Sequence, residues 1–146
     1  MKYSELTIHT DGGARGNPGP AAIGVFATGS SGETLFKISE FIGHETNNVA
    51  EYTAVVRALI YLQQNNFQSE KITFILDSEL IVRQILGLYK VKEPRLKILN
   101  QNVREQIQSL KNNQGLKTIS FINVPRNENK RADQLVNQAL DANLSS

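Results

Sequence analysis

Lys71-Ile72-Thr73-Phe74-Ile75-Leu76-Asp77 is the stretch that decides the fold. Residues 71–76 carry apolar side chains at both parities of an extended chain, as expected of a central strand covered by helices on both faces. Upstream, residues 3–10 alternate, with Leu6 and Ile8 on one face and Glu5, Thr7 and His9 on the other. Residues 21–28 (AAIGVFAT) and 34–42 (TLFKISEFI) read as two more strands, so the first three form an antiparallel meander. Between the first two, residues 12–20 hold four glycines and two prolines, a turn-forming composition that predicts neither helix nor strand. Thr46, Asn47 and Asn48 are N-cap types ahead of a helix reaching about Gln64, with Ala50, Ala54, Ala58 and Leu62 along one stripe.

Downstream of Asp77, a short helix is expected over 78–87, ending at Gly87. A basic loop follows from Tyr89 to Arg95, then a helix over about 95–112, a strand over 117–124, a polar loop over 125–130 and a helix over 131–143. The order is β-β-β-α-β-α-α-β-α. Helical crossovers join the later strands and are right-handed, and the first strand is expected beside the fourth, with the meander extending the sheet on the other side. Asp11 and Asp77 then become neighbours at the carboxyl ends of adjacent parallel strands, the usual place of function in an open α/β sheet.

A chain of 146 residues, 40% hydrophobic and 21% charged, fits one globular domain spanning 1–146. The absence of cysteine excludes disulfides and thiolate metal sites and fits a cytoplasmic location. No apolar run is long enough to span a bilayer, and the N-terminus lacks the apolar stretch of a signal peptide. Nothing in the pattern calls for an oligomer, so a monomer is expected. Net charge is only +2, but residues 1–82 carry five Lys/Arg against nine Asp/Glu, and residues 83–131 carry eleven against three. A basic segment beside an acidic one suits a polyanion held next to a metal centre.

Aspartate is scarce, and three of the four stand at element junctions: Asp11, Asp77 and Asp133. Glu51 lies near the start of the first long helix. Carboxylates brought together repel one another and resist ionising. Divalent cations of the hard, oxygen-preferring kind, Mg²⁺ or Mn²⁺, relieve that repulsion. Two such ions about 4 Å apart drive in-line phosphoryl transfer without histidine, cysteine or a covalent nucleophile. Competing chemistries lack their motifs: there is no G-x-G-x-x-G, no G-x-x-x-x-G-K-[ST] and no Gly-x-Ser-x-Gly.

Four segments carry a family resemblance: Thr10-Asp11-Gly12-Gly13-Ala14-Arg15-Gly16-Asn17-Pro18-Gly19-Pro20, Thr46-Asn47-Asn48-Val49-Ala50-Glu51, Asp77-Ser78 and Glu128-Asn129-Lys130-Arg131-Ala132-Asp133. In this order they resemble the four motifs of type 1 ribonuclease H, over about residues 3–142. The resemblance implies an α/β ribonuclease H-like fold: a five-stranded mixed sheet of order 3-2-1-4-5 with helices on both faces. It implies Mg²⁺- or Mn²⁺-dependent endonucleolytic cleavage of the RNA strand of RNA–DNA hybrids, two ions in the active complex, and 5′-phosphate and 3′-hydroxyl ends. Asp11, Glu51, Asp77 and Asp133 match the catalytic and metal-binding tetrad, the residue at Asp11 bridging both ions and that at Glu51 also touching a ribose 2′-hydroxyl. Asn17, Thr46 and Asn47 match positions that hold nucleic-acid backbone. Gly12 and Gly13 let backbone approach a 2′-hydroxyl, the group that tells RNA from DNA.

Three departures from the family pattern stand out. The loop before the last aspartate is short and lacks the usual histidine, and Arg126 is the nearest candidate for its catalytic place. The long basic helix and loop that grips the hybrid is reduced to Tyr89–Arg95, where Lys90, Lys92 and Arg95 are the phosphate contacts expected. Glu79 stands where an amide is usual. His9 shares the parity of Asp11 but reads as a sheet histidine, and Arg15 reads equally as loop charge or substrate contact. Two competing functions are an inactive or weak hybrid- or RNA-binding module on the same fold, and a metal-dependent DNA nuclease or resolvase. The complete tetrad speaks against the first, and the Gly12-Gly13 and Asn17 loop against the second.

Overall fold

The period-2 burial of β1 (Lys2–Ala14) sets the frame of the sheet: Leu6, Ile8 and Thr10 are buried, with half-exposed residues between them. The structure is a computed structural model and describes residues 2–144. Residue 1 and residues 145–146, the outermost of the expected 1–146 domain, lie outside the described residues. β2 (Gly19–Gly29) and β3 (Thr34–Glu45) complete the meander. Then follow α1 (Asn47–Gln64), β4 (Gln68–Leu76), α2 (Glu79–Ile85), α3 (Pro94–Asn113), β5 (Thr118–Asn123), a single 3₁₀ turn (Arg126–Glu128) and α4 (Lys130–Leu144). The sheet order is β3-β2-β1-β4-β5, with β1–β2 and β2–β3 antiparallel and β1–β4 and β4–β5 parallel. The expected order of 3-2-1-4-5 is the one found.

Two expectations are corrected. β1 does not stop at residue 10 but continues through the glycine-rich stretch to Ala14, pairing Gly12 with Ile23 and Gly13 with Ala22. Glycine weakens a strand on its own, but here the β2 ladder supplies the order. β4 is fully buried on one face only, through Ile72, Phe74 and Leu76. Thr73 and Ile75 on the other face are half-buried, because α4 packs on β2, β3 and β1 and leaves that side of β4 partly open.

On the first face lies the main core. Thr46 caps α1, its hydroxyl accepting from the Val49 N–H at 3.2 Å, and the helix buries Ala50, Tyr52, Ala54, Val55, Ala58, Leu59 and Leu62. α3 stacks outside α1, opened by Pro94 at its first turn and by the Glu93 side chain, which accepts from the Arg95 and Leu96 N–H groups. A buried polar chain ties α1, α2 and α3 together: the Tyr52 hydroxyl donates to Gln84 Oε1 at 2.8 Å and accepts from Asn100 Nδ2 at 3.2 Å. Among the described residues, no helix is long and apolar enough to cross a membrane.

Two glycines decide how closely the helices approach. A Cβ on Gly12 would lie 2.2 Å from the carbonyl carbon and oxygen of Ala50, and one on Gly24 would lie 2.2 Å from the carbonyl oxygen of Ala132. Both obstacles are helix backbone, which cannot move aside as a side-chain tip does. The first contact seats α1 on β1 and the second seats the start of α4 on β2. Gly24→Ala should therefore lower stability by about 1–3 kcal/mol or more through overpacking. Chemical denaturation checks this, and an unchanged midpoint and slope would contradict the close approach.

Candidate metal centre

β1 and β4 end out of step, and that staggering builds the site. The parallel ladder runs to His9–Ile75, while β1 stays paired with β2 as far as Ala14–Ala21. Asp11 lies two residues beyond the last registered pair on β1, and Asp77 two beyond it on β4. By strand alternation both follow the face of His9 and Ile75. Glu51 comes from the first turns of α1, one residue past the Ala50 carbonyl that Gly12 admits. One carboxylate oxygen each of Asp11, Glu51 and Asp77 lie within 4.8 Å of one another.

The cleft holding them has a volume of about 340 Å³, and Gly12, Gly13, Asn47, Arg126 and Asp133 also line it. Asp133 lies in the first turn of α4, where its N–H donates to the Asn129 carbonyl at 3.2 Å; it stands outside the trio but faces it across the cleft. Asp11 and Glu51 are each only 6% exposed. The Gly12 N–H donates to Asp11 Oδ1 at 2.9 Å and also to Glu51 Oε1. Asp77 Oδ2 is buried with no hydrogen-bond partner, as expected of an oxygen reserved for a ligand.

Electrostatics follow from this geometry. Burial pushes the Asp11 carboxyl up to about 7; the hydrogen bond shared with Glu51 opposes the shift, and the charges of Asp77 and Asp133 add to it. Burial, with the Asp11 charge next, raises Glu51 well above the usual carboxylate range. Burial raises Asp77 as well, while the Arg126 guanidinium and the Asn129 side chain draw it back down. Oxygen donors alone, several of them acidic and crowded, match the preferences of a hard divalent cation.

The other expected residues divide. Asn47 lines the cleft, and its Oδ1 accepts from the Ala14 N–H at 2.8 Å, while Asn17 Oδ1 accepts from the Asn47 N–H at 3.0 Å. With those oxygens committed, the NH₂ groups of both amides are the donors left for a ligand. Asn17 and Thr46 line an adjoining groove of about 610 Å³ with His44, Glu45, Glu93 and Arg95. Asn48 lines both spaces and joins them.

Lys90 and Lys92 are exposed on the connection between α2 and α3 and line neither space. Arg95 is bound to Glu45 at 2.9 Å, and Arg15 to Asp141 at 2.7 Å on α4. Glu79 pairs with Arg83 along α2 at 3.4 Å. His9 lies outside the carboxylate group and packs against Phe26, and burial lowers its pKa. Sequence reasoning missed Asn129 as a member of the site. It is 1% exposed, and its Nδ2 donates to the Thr10 carbonyl at 2.9 Å. The only trace in the sequence is its place inside the segment 128–133.

A staggered 3-2-1-4-5 sheet with an acidic cleft at the carboxyl ends of β1 and β4 defines the ribonuclease H-like class of α/β proteins. The comparisons narrow the class. A family described as Reverse transcriptase-like matches residues 9–139. The Ribonuclease HI of Halobacterium salinarum is 36% identical over 131 residues, covering 90% of this chain and 62% of that protein. The Bifunctional protein Rv2228c of Mycobacterium tuberculosis is 37% identical over 143 residues, covering 97% of this chain. This chain spans 37% of that protein's length, so it matches only part of these relatives. The solved structure of LC11-RNase H1 in complex with an RNA/DNA hybrid is 48% identical, with a TM-score of 0.83, covering 95% of this chain and 99% of that one. The chain belongs to the ribonuclease H family.

The raised carboxyl makes a sharp prediction for metal-free protein. Its folded pKa of about 7 lies above the usual value of 3.8, so the stabilisation from a protonated Asp11 is complete below that value and is lost as pH rises through about 7. In EDTA, the stability advantage of Asp11→Asn over the parent should be small at pH 4 and grow by pH 8, and Mg²⁺ should restore the parent at pH 8. Thermal denaturation across this range is the measurement; a pH-independent difference would refute the assignment of the strain to Asp11.

Proposed function

We propose that the protein is an endoribonuclease that hydrolyses the RNA strand of RNA–DNA hybrids, leaving 5′-phosphate and 3′-hydroxyl ends. The observation that carries this reading is the approach of the Asp11, Glu51 and Asp77 oxygens to within 4.8 Å of one another in an open cleft bordered by the Gly12-Gly13 backbone. Asp11, Glu51, Asp77 and Asp133 are the residues that hold two Mg²⁺ or Mn²⁺ ions. When bound, the ions supply activation of water and neutralisation of charge on the leaving oxygen. The complex of LC11-RNase H1 with an RNA/DNA hybrid supports a hybrid as the ligand.

The chain's own residues supply recognition. Gly12 and Gly13 line the cleft, and Gly13, where a Cβ would meet nothing nearer than 3.9 Å, leaves backbone open to a ribose 2′-hydroxyl. The Asn17 and Asn47 amides and Thr46 hold the sugar-phosphate backbone along the adjoining groove, and Lys90 and Lys92 meet phosphates farther out. Arg126 stands at the cleft as a fixed cation beside Asp77. It holds phosphate, and since arginine stays protonated it does not shuttle protons.

The deciding assay is cleavage of a labelled hybrid beside single-stranded RNA, duplex RNA and duplex DNA, with and without Mg²⁺ or Mn²⁺. Metal-dependent cutting of the hybrid's RNA strand is expected. Hybrid binding without cleavage would support a non-catalytic module instead, and equal cutting of duplex DNA would remove the role given to the 2′-hydroxyl. Asp11→Asn should stay folded and lose activity by several orders of magnitude. Arg126→Ala should lower turnover about ten- to a hundredfold, equivalent to about 1.4–2.7 kcal/mol of barrier, with Mn²⁺ affinity little changed in calorimetry. A fully active Arg126→Ala protein would leave Arg126 without a catalytic role.

A further inference from the structure

Asn129 links the surroundings of the acids without lining the cleft. Its Nδ2 donates to the carbonyl of Thr10, the residue before Asp11, across 119 positions of sequence. The registered pairing of β1 with β4 stops one residue earlier, at His9–Ile75, so the amide serves a strand carbonyl just past the end of that ladder. The Asn129 side chain also lies near enough to the Asp77 carboxylate to draw that pKa down. Its backbone carbonyl accepts from the Asp133 N–H at 3.2 Å, and its own N–H donates to the Arg126 carbonyl at 3.0 Å. Asn129 Oδ1, however, has no partner, and neither does the buried Asp77 Oδ2. Leaving a buried acceptor unpaired is unfavourable. A residue chosen only to anchor a loop would be expected to satisfy both ends of its amide.

We infer that Asn129 is a positioning residue: by tying the start of α4, through the Asp133 N–H, to the strand end beside Asp11, through the Thr10 carbonyl, it sets the spacing of the acids and with it the affinity of the cleft for divalent ions. Asparagine suits the task because it offers two donor hydrogens and no charge. Aspartate at the same place would present only acceptors and would add a negative charge beside Asp77. The inference rests on the reading of the cleft as a metal centre.

The test is Mn²⁺ binding to the full chain, measured by calorimetry, with melting temperature recorded alongside. Asn129→Ala and Asn129→Asp should weaken Mn²⁺ binding about ten- to a hundredfold, as loss of a ligand-orienting partner does. In cleavage assays the Mg²⁺ needed for half-maximal rate should rise in parallel for Asn129→Ala, excess Mg²⁺ should restore its turnover, and KM for the hybrid should stay near the parent value. Val103→Ala is the structural control. Val103 is 0% exposed on α3 and does not line the cleft. This variant should lose stability yet bind Mn²⁺ like the parent. Should Asn129→Ala fail to fold, Asn129→Ser, which keeps one donor, should bind with intermediate affinity. Parent-like Mn²⁺ binding by a folded Asn129 variant would overturn the inference, as would an equal loss in Val103→Ala. If the parent binds Mn²⁺ but cuts no hybrid, the proposed activity fails and the positioning role survives. If the parent does not bind Mn²⁺ at all, both fall.

Discussion

Contact of helix backbone with strand backbone is the constraint on which the rest of this molecule depends. At Gly12 the strand comes so near to α1 that a single methyl group would overlap the Ala50 carbonyl. That proximity brings Glu51 over the strand end and lets one amide, the Gly12 N–H, serve the carboxylates of Asp11 and Glu51 together. The matching contact at Gly24 does the same for the start of α4 and hence for Asp133. Neither contact could be made with a side chain between the two backbones, so the geometry of the acids is set by what the sequence leaves out at two positions.

The arrangement works against the stability of the free protein. Three acids are held where burial and mutual repulsion all favour the protonated forms. The core compensates, since α1 is buried between the sheet and α3 and carries much of the apolar contact. Such local conflict within an otherwise consistent fold is the physical mark of a functional site.

How much of this could be read from the sequence depends on range. The meander, the alternation of Leu6 and Ile8 and the apolar run at 72–76 are local patterns, and they were sufficient for the elements, while the full strand order was implied by the resemblance of the four motifs. Asp11 and Asp77 were legible because each directly follows an apolar extended run, and Glu51 because it lies near the start of the first long helix, although Asp11 proves to lie inside β1. The persistence of β1 through Gly12 and Gly13 was not, since the order comes from a ladder with β2 rather than from the glycines. The partners of Arg15 and Arg95 were hidden for the same reason, lying 126 and 50 residues away. Asn129 gave no local signal, because asparagine in a polar loop reads as a turn former, and only the folded chain reveals the Thr10 carbonyl it serves.

The exposed link between α2 and α3 has a different standing from all of this. Leu86, Leu88, Tyr89, Lys90 and Lys92 are exposed and line neither the cleft nor the adjoining groove, with the Tyr89 ring beside the Arg83 guanidinium, 5.5 Å from its centre, and its N–H donating to the Arg83 carbonyl at 3.2 Å. Insertions there disturb neither of the two glycine contacts. The link is therefore mechanically uncoupled from the acidic cleft: its length can change without moving either of the backbone contacts that space the acids.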